Sequence, residues 1–259
     1  MESRVLDVPL RTCGQGASAQ RAGDPRTHQG RVRLCSMATF VLIPGAASDP
    51  SYWRFLVAEL RSRGHEAVPV DLPCDDDAAG LEQYVQAVVD AVGDRRDLVV
   101  VAHSLGGFTG ALACDRLPVR LLVLLSAMVP RPGEPAGQWW ANTGHEQAHR
   151  EAAERLGFDR DDMNAIFYNG VPADVVAEEL RQPGRGQSAT PMGEPWPLAR
   201  LPDTPTRFLL LRDDHCMPAD FMRRVVRERL GVTPDEIDGG HMAMLSHPVE
   251  LADRLESYL

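Results

Sequence analysis

Short apolar runs alternate along the chain with longer stretches in which apolar residues recur at helical spacing. The runs are rich in Val, Leu and Ile and are too short for most helices, so the pattern predicts strands that are buried on both faces. The predicted strands are residues 39–43, 67–72, 98–101, 120–126, 207–211 and 235–237. Pro69 lies inside the second run, and because proline cannot donate a hydrogen bond to a neighbouring strand, we expect an edge or bulged position there.

The stretches between the runs predict helices with clear start and stop signals. Asp49 followed by Pro50 is typical of a helix start, and Gly64 is typical of the end of that helix. The other predicted helices are residues 81–92, a segment that begins at 108, and about 145–156, 172–181, 218–230 and 248–258. This strand–helix alternation predicts an α/β fold, with a mostly parallel central sheet and helices on both of its faces.

The alternation stops after Met128 and resumes with the run at 207–211. The segment between them contains Pro and Gly clusters and two of the predicted helices, but no convincing core strand. We therefore expect a core made of residues 37–128 and 206–259, with a mainly helical cap inserted as residues 129–205. Such an insertion over a sheet is a usual location for substrate selectivity.

Residues 1–36 differ from the rest of the chain in being rich in Arg, Gly and Ser without an amphipathic period. They also lack the apolar centre of a secretory signal. We expect a disordered N-terminal extension, with Met37 as an alternative start of the natural chain. A transit peptide is the less favoured interpretation.

Composition and charge narrow the classes of function. A formal net charge of −10 argues against a nucleic-acid-binding protein, because phosphate contacts need a basic face. No run of about 18 apolar residues is present, so we expect no membrane span. The five cysteines form neither a disulfide framework nor a CxxC pattern, which predicts free thiols and a cytoplasmic location. The sequence leaves the oligomeric state open, a homodimer included.

The basic residues and histidines limit the chemistry further. All 27 basic residues are arginine, which excludes a Schiff-base lysine, a P-loop lysine and a lysine acid or base. His145 and His149 lie four residues apart on a predicted helix and could bind a metal. Because no further ligands lie nearby in the sequence, we favour an exposed helix face instead. We expect no metal and no organic cofactor.

Ser104 lies where a predicted strand meets a predicted helix, in the segment 97–114, DLVVVAHSLGGFTGALAC. A serine in a tight turn between strand and helix is the layout of a nucleophile elbow, whose general motif is G-x-S-x-G. This chain has Ala102 at the first glycine, a change of one methyl group. The alternative interpretation is a serine that merely caps the following helix.

A serine nucleophile needs a base that takes its proton and a third group that orients the base. In the elbow-bearing fold, the acid and then the histidine follow the serine in the chain, each after a strand. Asp213 and Asp214 both follow the predicted strand 207–211, and His241 follows the last predicted strand. We choose Asp214, which lies four residues before the proline that starts the next helix, and expect Asp213 to act as a turn or cap residue.

Two other histidines compete with His241 for the role of base. His215 lies beside the candidate acid, and His103 directly precedes the candidate nucleophile. We favour His241, because it alone follows the last strand as the chain order requires. For His103 we expect packing or a local hydrogen bond.

The oxyanion of the tetrahedral intermediate needs two N–H donors. The first candidate is the amide of Leu105, directly after the nucleophile, and the second is the amide of Ala46, in the loop after the first strand. Gly45 allows the backbone of that loop to bend and to approach the substrate closely.

Four stretches resemble one branch of the α/β-hydrolase superfamily: FVLIPGAASDPSYW, the VAHSLGG elbow, DDHCMPADF and GGHMAMLSHP. This branch holds plant methylesterases and hydroxynitrile lyases together with bacterial esterase relatives. The resemblance covers about residues 38–259 and is weak through the predicted cap. It implies the α/β-hydrolase fold, and it matches these site residues: Ser104, Asp214 and His241 for the triad, Ala46 and Leu105 for the oxyanion donors.

The two activities of this branch differ at two positions. The lyases have a Thr in the first loop and a Lys directly after the catalytic His, and that Lys stabilises the departing cyanide. Here the two positions hold Gly45 and Met242, as in the esterases, so the resemblance implies hydrolysis. The first loop also carries Pro44 where the family usually has His.

We therefore expect a serine hydrolase that cleaves a small, largely apolar carboxylic ester through an acyl-enzyme. The alternatives are a same-fold hydrolase of C–C or C–N bonds, a lyase, and a non-catalytic receptor for a small ligand. The expected substrate contacts are Gly45, Trp139, Trp140, Phe167 and Met242. The aromatic residues of the cap can equally hold the cap to the core; they are Trp139, Trp140, Phe167, Tyr168 and Trp196.

Overall fold

Six parallel strands form one sheet, in the order β2-β1-β3-β4-β5-β6. The computed structural model describes residues 37–259, so the extension predicted for residues 1–36 lies outside the described residues. The parallel sheet confirms the predicted α/β fold. The strands are β1 (Thr39–Ile43), β2 (Glu66–Pro69), β3 (Leu98–His103), β4 (Val119–Leu125), β5 (Thr206–Leu211) and β6 (Asp235–Ile237).

Helices cover both faces of the sheet. They are α1 (Arg54–Ser62), α2 (Leu81–Val92), α3 (Gly106–Arg116), α4 (Ala136–Thr143), α5 (His145–Leu156), α6 (Met163–Phe167), α7 (Ala173–Glu179), α8 (Thr190–Gly193), α9 (Ala219–Leu230), α10 (Ala243–Ser246) and α11 (Pro248–Glu256). Alternate strand residues point to opposite faces. Val41 and Val100 pack with α2, α3 and α9, whereas Phe40 and Val99 pack with α1 and α11.

The predicted edge position of Pro69 is confirmed, because β2 lies at one end of the sheet. The strand is shorter than predicted and ends at Pro69 instead of residue 72. The amide of Val70 still donates to Leu42 O (2.9 Å). Strand β1 ends at Ile43, one residue after Leu42, so residues 71 and 72 have no partner strand.

The segment between β4 and β5 holds five short helices, α4 to α8, where the sequence pattern predicted two. We call residues 129–205 the cap segment. The helices α6 and α8 are too short to repeat an apolar period, which explains why the pattern did not predict them. Residues 37–259 belong to one compact unit, and the predicted domain boundaries stay a prediction.

The described helices are all too short or too polar to cross a lipid bilayer. Cys74, Cys114 and Cys216 are buried free thiols. Burial raises the pKa of the Cys216 thiol well above its usual value, which disfavours the thiolate form. The predicted cytoplasmic location stays a prediction.

Candidate active site

Ser104 occupies a strained turn between β3 and α3. Its φ is +54°, in the left-handed region that residues with a side chain rarely adopt. Hydrogen bonds fix this turn from two sides, since Ser104 N–H donates to Leu125 O (3.3 Å) and Met128 N–H donates to Ser104 O (2.8 Å). Helix α3 begins two residues later, so the serine lies at the positive end of its dipole.

Close backbone approach explains the small residues around Ser104. A Cβ at Gly106 would lie 2.4 Å from Pro44 O, so only glycine allows the loop after β1 to lie against the elbow. A Cβ at Gly110 would lie 2.5 Å from the Ala102 Cβ. The methyl group by which Ala102 departs from the G-x-S-x-G motif therefore occupies space that glycine at 110 leaves free.

Asp214 and His241 form a buried pair next to the elbow. His241 Nδ1 lies 2.8 Å from Asp214 Oδ2, and the two residues are 2% and 1% exposed. The amide of Met217 donates to Asp214 Oδ1 (2.8 Å), which fixes the carboxylate. The neighbouring Asp213 instead accepts from Gly239 N–H (3.0 Å), which joins the loop after β5 to the loop after β6. With Nδ1–H donated to the carboxylate, Nε2 of His241 is left to accept a proton.

One cavity of about 500 Å³ brings Ser104, His241 and both candidate oxyanion residues together. The amides of Ala46 and Leu105 donate no hydrogen bond to any described residue, so both are free for a ligand oxygen. The Ser104 hydroxyl makes no hydrogen bond to His241 within residues 37–259. Catalytic hydrogen bonds in unliganded sites often tighten only when a substrate is bound.

The other walls of the cavity are mainly apolar and come in large part from the cap segment. Helix α6 contributes Met163, Asn164 and Phe167, and further wall residues are Met128, Trp140, Tyr168, Leu180, Met192, Cys216 and Met242. No carboxylate or guanidinium of the described chain lines the cavity. Nothing in the sequence pattern marked Met163, Leu180 or Met192 as wall residues, because the short helices that carry two of them were not predicted.

Four of the five expected substrate contacts line this cavity: Gly45, Trp140, Phe167 and Met242. The fifth, Trp139, does not, although it precedes Trp140 in the chain. Its side chain is fully buried, and its ring packs edge-to-face on Phe221 of the core helix α9, with the ring centroids 5.8 Å apart. Trp139 therefore holds the cap segment to the core, as Trp196 does through Phe108 O (3.4 Å). The two roles considered for the cap aromatics are divided between neighbouring residues.

The expectation of an exposed face at His145 and His149 is wrong. His149 is only 7% exposed, and His145 is half-buried with Nε2 at 2.7 Å from Cys216 O. The two rings stack with their centroids 5.2 Å apart. In the described part of the chain, no group of three or more His, Cys, Asp or Glu side chains is arranged to hold a metal ion.

His103 and Tyr52 lie beside the catalytic groups, and sequence reasoning assigned neither a role in the site. The rings of His103 and His241 lie 4.5 Å apart, and Tyr52 OH lies 3.3 Å from His103 Nδ1. The hydrogen bonds of His103 join it to Tyr52 and His241, which are distant in the sequence, so they are not the local hydrogen bond considered above. In the sequence, His103 could have been noticed because it directly precedes the nucleophile. Tyr52 lies in the stretch FVLIPGAASDPSYW, where no pattern distinguishes it.

Comparison with known proteins yields related sequences and structures. The family model described as "Alpha/beta hydrolase family" matches residues 40–254. Probable esterase PIR7A of Oryza sativa subsp. indica is 28% identical over 250 residues, which cover 83% of this chain and 94% of that protein. Methyl jasmonate esterase 1 of Vitis vinifera is 26% identical over 256 residues, covering 84% and 95%. These matches confirm the resemblance inferred from the four stretches.

Among solved structures, polyneuridine aldehyde esterase superposes with a TM-score of 0.70 at 19% sequence identity. The match covers 86% of this chain and 99% of that one. At this level of identity the likeness shows a shared fold, and it confirms the predicted α/β-hydrolase fold.

Proposed function

The chain belongs to the alpha/beta hydrolase family, and on this basis we propose that it hydrolyses a small, largely apolar carboxylic ester with Ser104 as nucleophile. The protein is a carboxylic ester hydrolase, the activity for which relatives such as PIR7A and methyl jasmonate esterase 1 are named. The observation that carries the proposal is the buried Asp214–His241 pair at the same cavity as the strained Ser104.

The proposed reaction has two halves. Ser104 Oγ attacks the ester carbonyl carbon while His241 Nε2 takes the hydroxyl proton, and the amides of Ala46 and Leu105 hold the oxyanion. Asp214 orients the imidazole and stabilises its charged form. The intermediate collapses to an acyl-enzyme as His241 returns the proton to the leaving alcohol. A water molecule, activated by the same imidazole, then releases the acid.

The cavity walls support a neutral, apolar substrate. Its size of about 500 Å³ lies in the usual range for small-molecule sites. A charged group on the substrate would lose its hydration without gaining an ion-pair partner, because the described wall residues include neither carboxylates nor guanidinium groups. Trp140 and Phe167 instead offer aromatic surface to an acyl or alcohol chain.

Two wall residues favour hydrolysis over the lyase alternative. A Cβ at Gly45 would lie 2.9 Å from Ser104 Cβ, so a β-branched threonine does not fit this position without a shift of the loop. Met242, directly after the candidate base, is an apolar wall residue and cannot stabilise a leaving cyanide by charge. The site thus lacks both groups that the lyase resemblance would need.

Turnover of p-nitrophenyl esters of increasing acyl length tests the proposal. We expect the wild type to hydrolyse short and medium esters and a fluorophosphonate to abolish the activity by labelling Ser104. Ser104→Ala should keep the wild-type circular dichroism spectrum and lose activity by about 10⁴- to 10⁶-fold. Tight binding of such esters by a wild type without turnover would contradict the proposal and favour the receptor alternative.

A further inference from the structure

A series of buried hydrogen bonds joins the three loops of the site, and His103 within it lines the cavity. The amide of Gly45 donates to Tyr52 OH (3.2 Å), Tyr52 OH lies 3.3 Å from His103 Nδ1, and His103 Nε2 lies 3.0 Å from the main-chain oxygen of His241. The Tyr52, His103 and His241 residues are each 2% exposed. These hydrogen bonds therefore connect the loop after β1, which carries Ala46, through the end of β3 to the loop that carries His241.

The two ends of this series fix every proton in it. The His241 carbonyl can only accept, so His103 Nε2 must carry the proton and Nδ1 must accept. Tyr52 O–H therefore donates to Nδ1, and its oxygen accepts the Gly45 N–H. Burial and the neighbouring His241 hold the pKa of His103 well below its usual value, so this neutral form persists when His241 becomes charged.

The Gly45 contact matters because the oxyanion donor is the next amide in the chain, that of Ala46. The Ala46 amide lies between two anchored amides, since Ala47 N–H donates to Gln187 Oε1 (3.1 Å) in the cap segment. Gly45 has no side chain to limit its backbone torsions. The Tyr52 hydroxyl supplies the restraint from the side of the core.

We propose that Tyr52 and His103 are positioning residues, which together hold the Ala46 amide and the His241 main chain in place around Ser104. Neither the Tyr52 hydroxyl nor the His103 imidazole takes part in the proton transfers of the reaction. Their effect is on the geometry of the groups that do, so it is largest in the transition state, where the oxyanion has formed.

Tyr52→Phe tests the proposal, since it removes one oxygen atom and keeps the ring. We expect kcat to fall about 10- to 100-fold, less than or comparable to the loss of a whole oxyanion donor, with KM within about threefold of the wild type. Tyr258→Phe is the matched control. Tyr258 OH donates to Asp235 (2.9 Å) at the opposite end of β6 from the His241 loop, and we expect unchanged kinetics.

A pair of ligands separates positioning from a general structural effect. A trifluoromethyl ketone accepts Ser104 Oγ at its carbonyl carbon; the hydroxyl proton moves to His241, and the carbonyl oxygen becomes an oxyanion. The corresponding secondary alcohol has a similar shape but cannot accept the nucleophile. In Tyr52→Phe we expect the ketone to bind weaker by the same factor as the fall in kcat/KM and the alcohol to bind as in the wild type. Equal affinity losses for both ligands, or none, would overturn the proposal.

Two substitutions of His103 provide an independent test. Glutamine keeps one donor and one acceptor, like a neutral imidazole, whereas leucine keeps neither. We expect His103→Gln to retain more kcat than His103→Leu, and the reverse order would count against the proposal.

The proposal rests on the proposed ester hydrolysis, but the two can fail separately. An active wild type with an equally active Tyr52→Phe contradicts the positioning alone, whereas absent ester turnover contradicts the proposed function, and the ligand affinities still test the positioning.

Discussion

The core and cap sides of the cavity differ in how firmly their residues are held. On the core side, Ser104, Asp214 and His241 are at most 9% exposed and are joined to neighbouring loops by hydrogen bonds. On the cap side, Met163 and Leu180 line the same cavity, and these two residues are 60% and 58% exposed. The core side thus fixes the reacting groups, whereas the cap side offers an adaptable surface.

The parallel sheet accounts for the firmness of the core side. The carboxyl ends of parallel strands meet at one edge, so the loops after β1, β3, β5 and β6 converge without long connections. The cap segment has no comparable frame, and two of its wall residues, Met163 and Met192, carry unbranched side chains that readily change rotamer. Substitutions on the core side should therefore change the rate of the chemistry, and substitutions on the cap side should change which ester fits.

Matched glycine substitutions give the largest expected contrast. In Gly106→Ala the new methyl would lie 2.4 Å from Pro44 O, which displaces the loop that carries the Ala46 amide. We expect kcat to fall about 100-fold, on the scale of losing an oxyanion donor. In Gly193→Ala, in the cap segment, the methyl meets nothing within 4 Å, and we expect wild-type ester turnover. Wild-type turnover in Gly106→Ala would show that the core side is as adaptable as the cap.

The adjacent tryptophans test the comparison within the cap segment itself. Trp139→Leu should lower the free energy of unfolding by about 3 kcal/mol, because it empties a fully buried site, with little change in substrate preference. Trp140→Leu should change stability by less than about 1 kcal/mol and shift KM by up to about tenfold, unequally across the ester series. Denaturant unfolding and steady-state kinetics measure both, and exchanged effects would contradict the assigned roles.

Predictability from the sequence follows the same division. Buried strands such as β1 and β3 show as unbroken apolar runs, and the order Ser104, Asp214, His241 is visible because each residue follows such a run. In the cap segment, helices of four or five residues carry no period. The different positions of Trp139 and Trp140 depend on the rotation of α4, which their identical side chains do not encode. Tyr52 and His103 became recognisable only once the fold brought their polar atoms together.

The smallest expected effect concerns the junction between cap and core, where α5 packs against the loop after β5. Burial lowers the pKa values of His145 and His149 below the ordinary 6.5. His149 Nδ1 accepts from Arg160 Nε (3.3 Å), Glu146 pairs with the same Arg160, and His149 Nε2 has no partner among the described residues.

Because the pKa values are lower in the folded state, the unfolded chain binds more protons below pH 6.5. The contribution of both histidines to stability is therefore present above pH 6.5 and is lost as the pH falls through the lowered values.

Removing one of these imidazoles should make the protein less sensitive to acid. We expect the Tm of His149→Leu to rise relative to the wild type as the pH falls from 7.5 to 5.5, by about 2–4 °C, which corresponds to about 1 kcal/mol in a domain of this size. Gln147→Leu, an exposed and non-titrating position on the same helix, should keep a constant difference from the wild type over this range. Thermal unfolding at a series of pH values measures both variants. A parallel pH dependence of His149→Leu and the wild type would show that the cap segment is held without a buried neutral histidine at this junction.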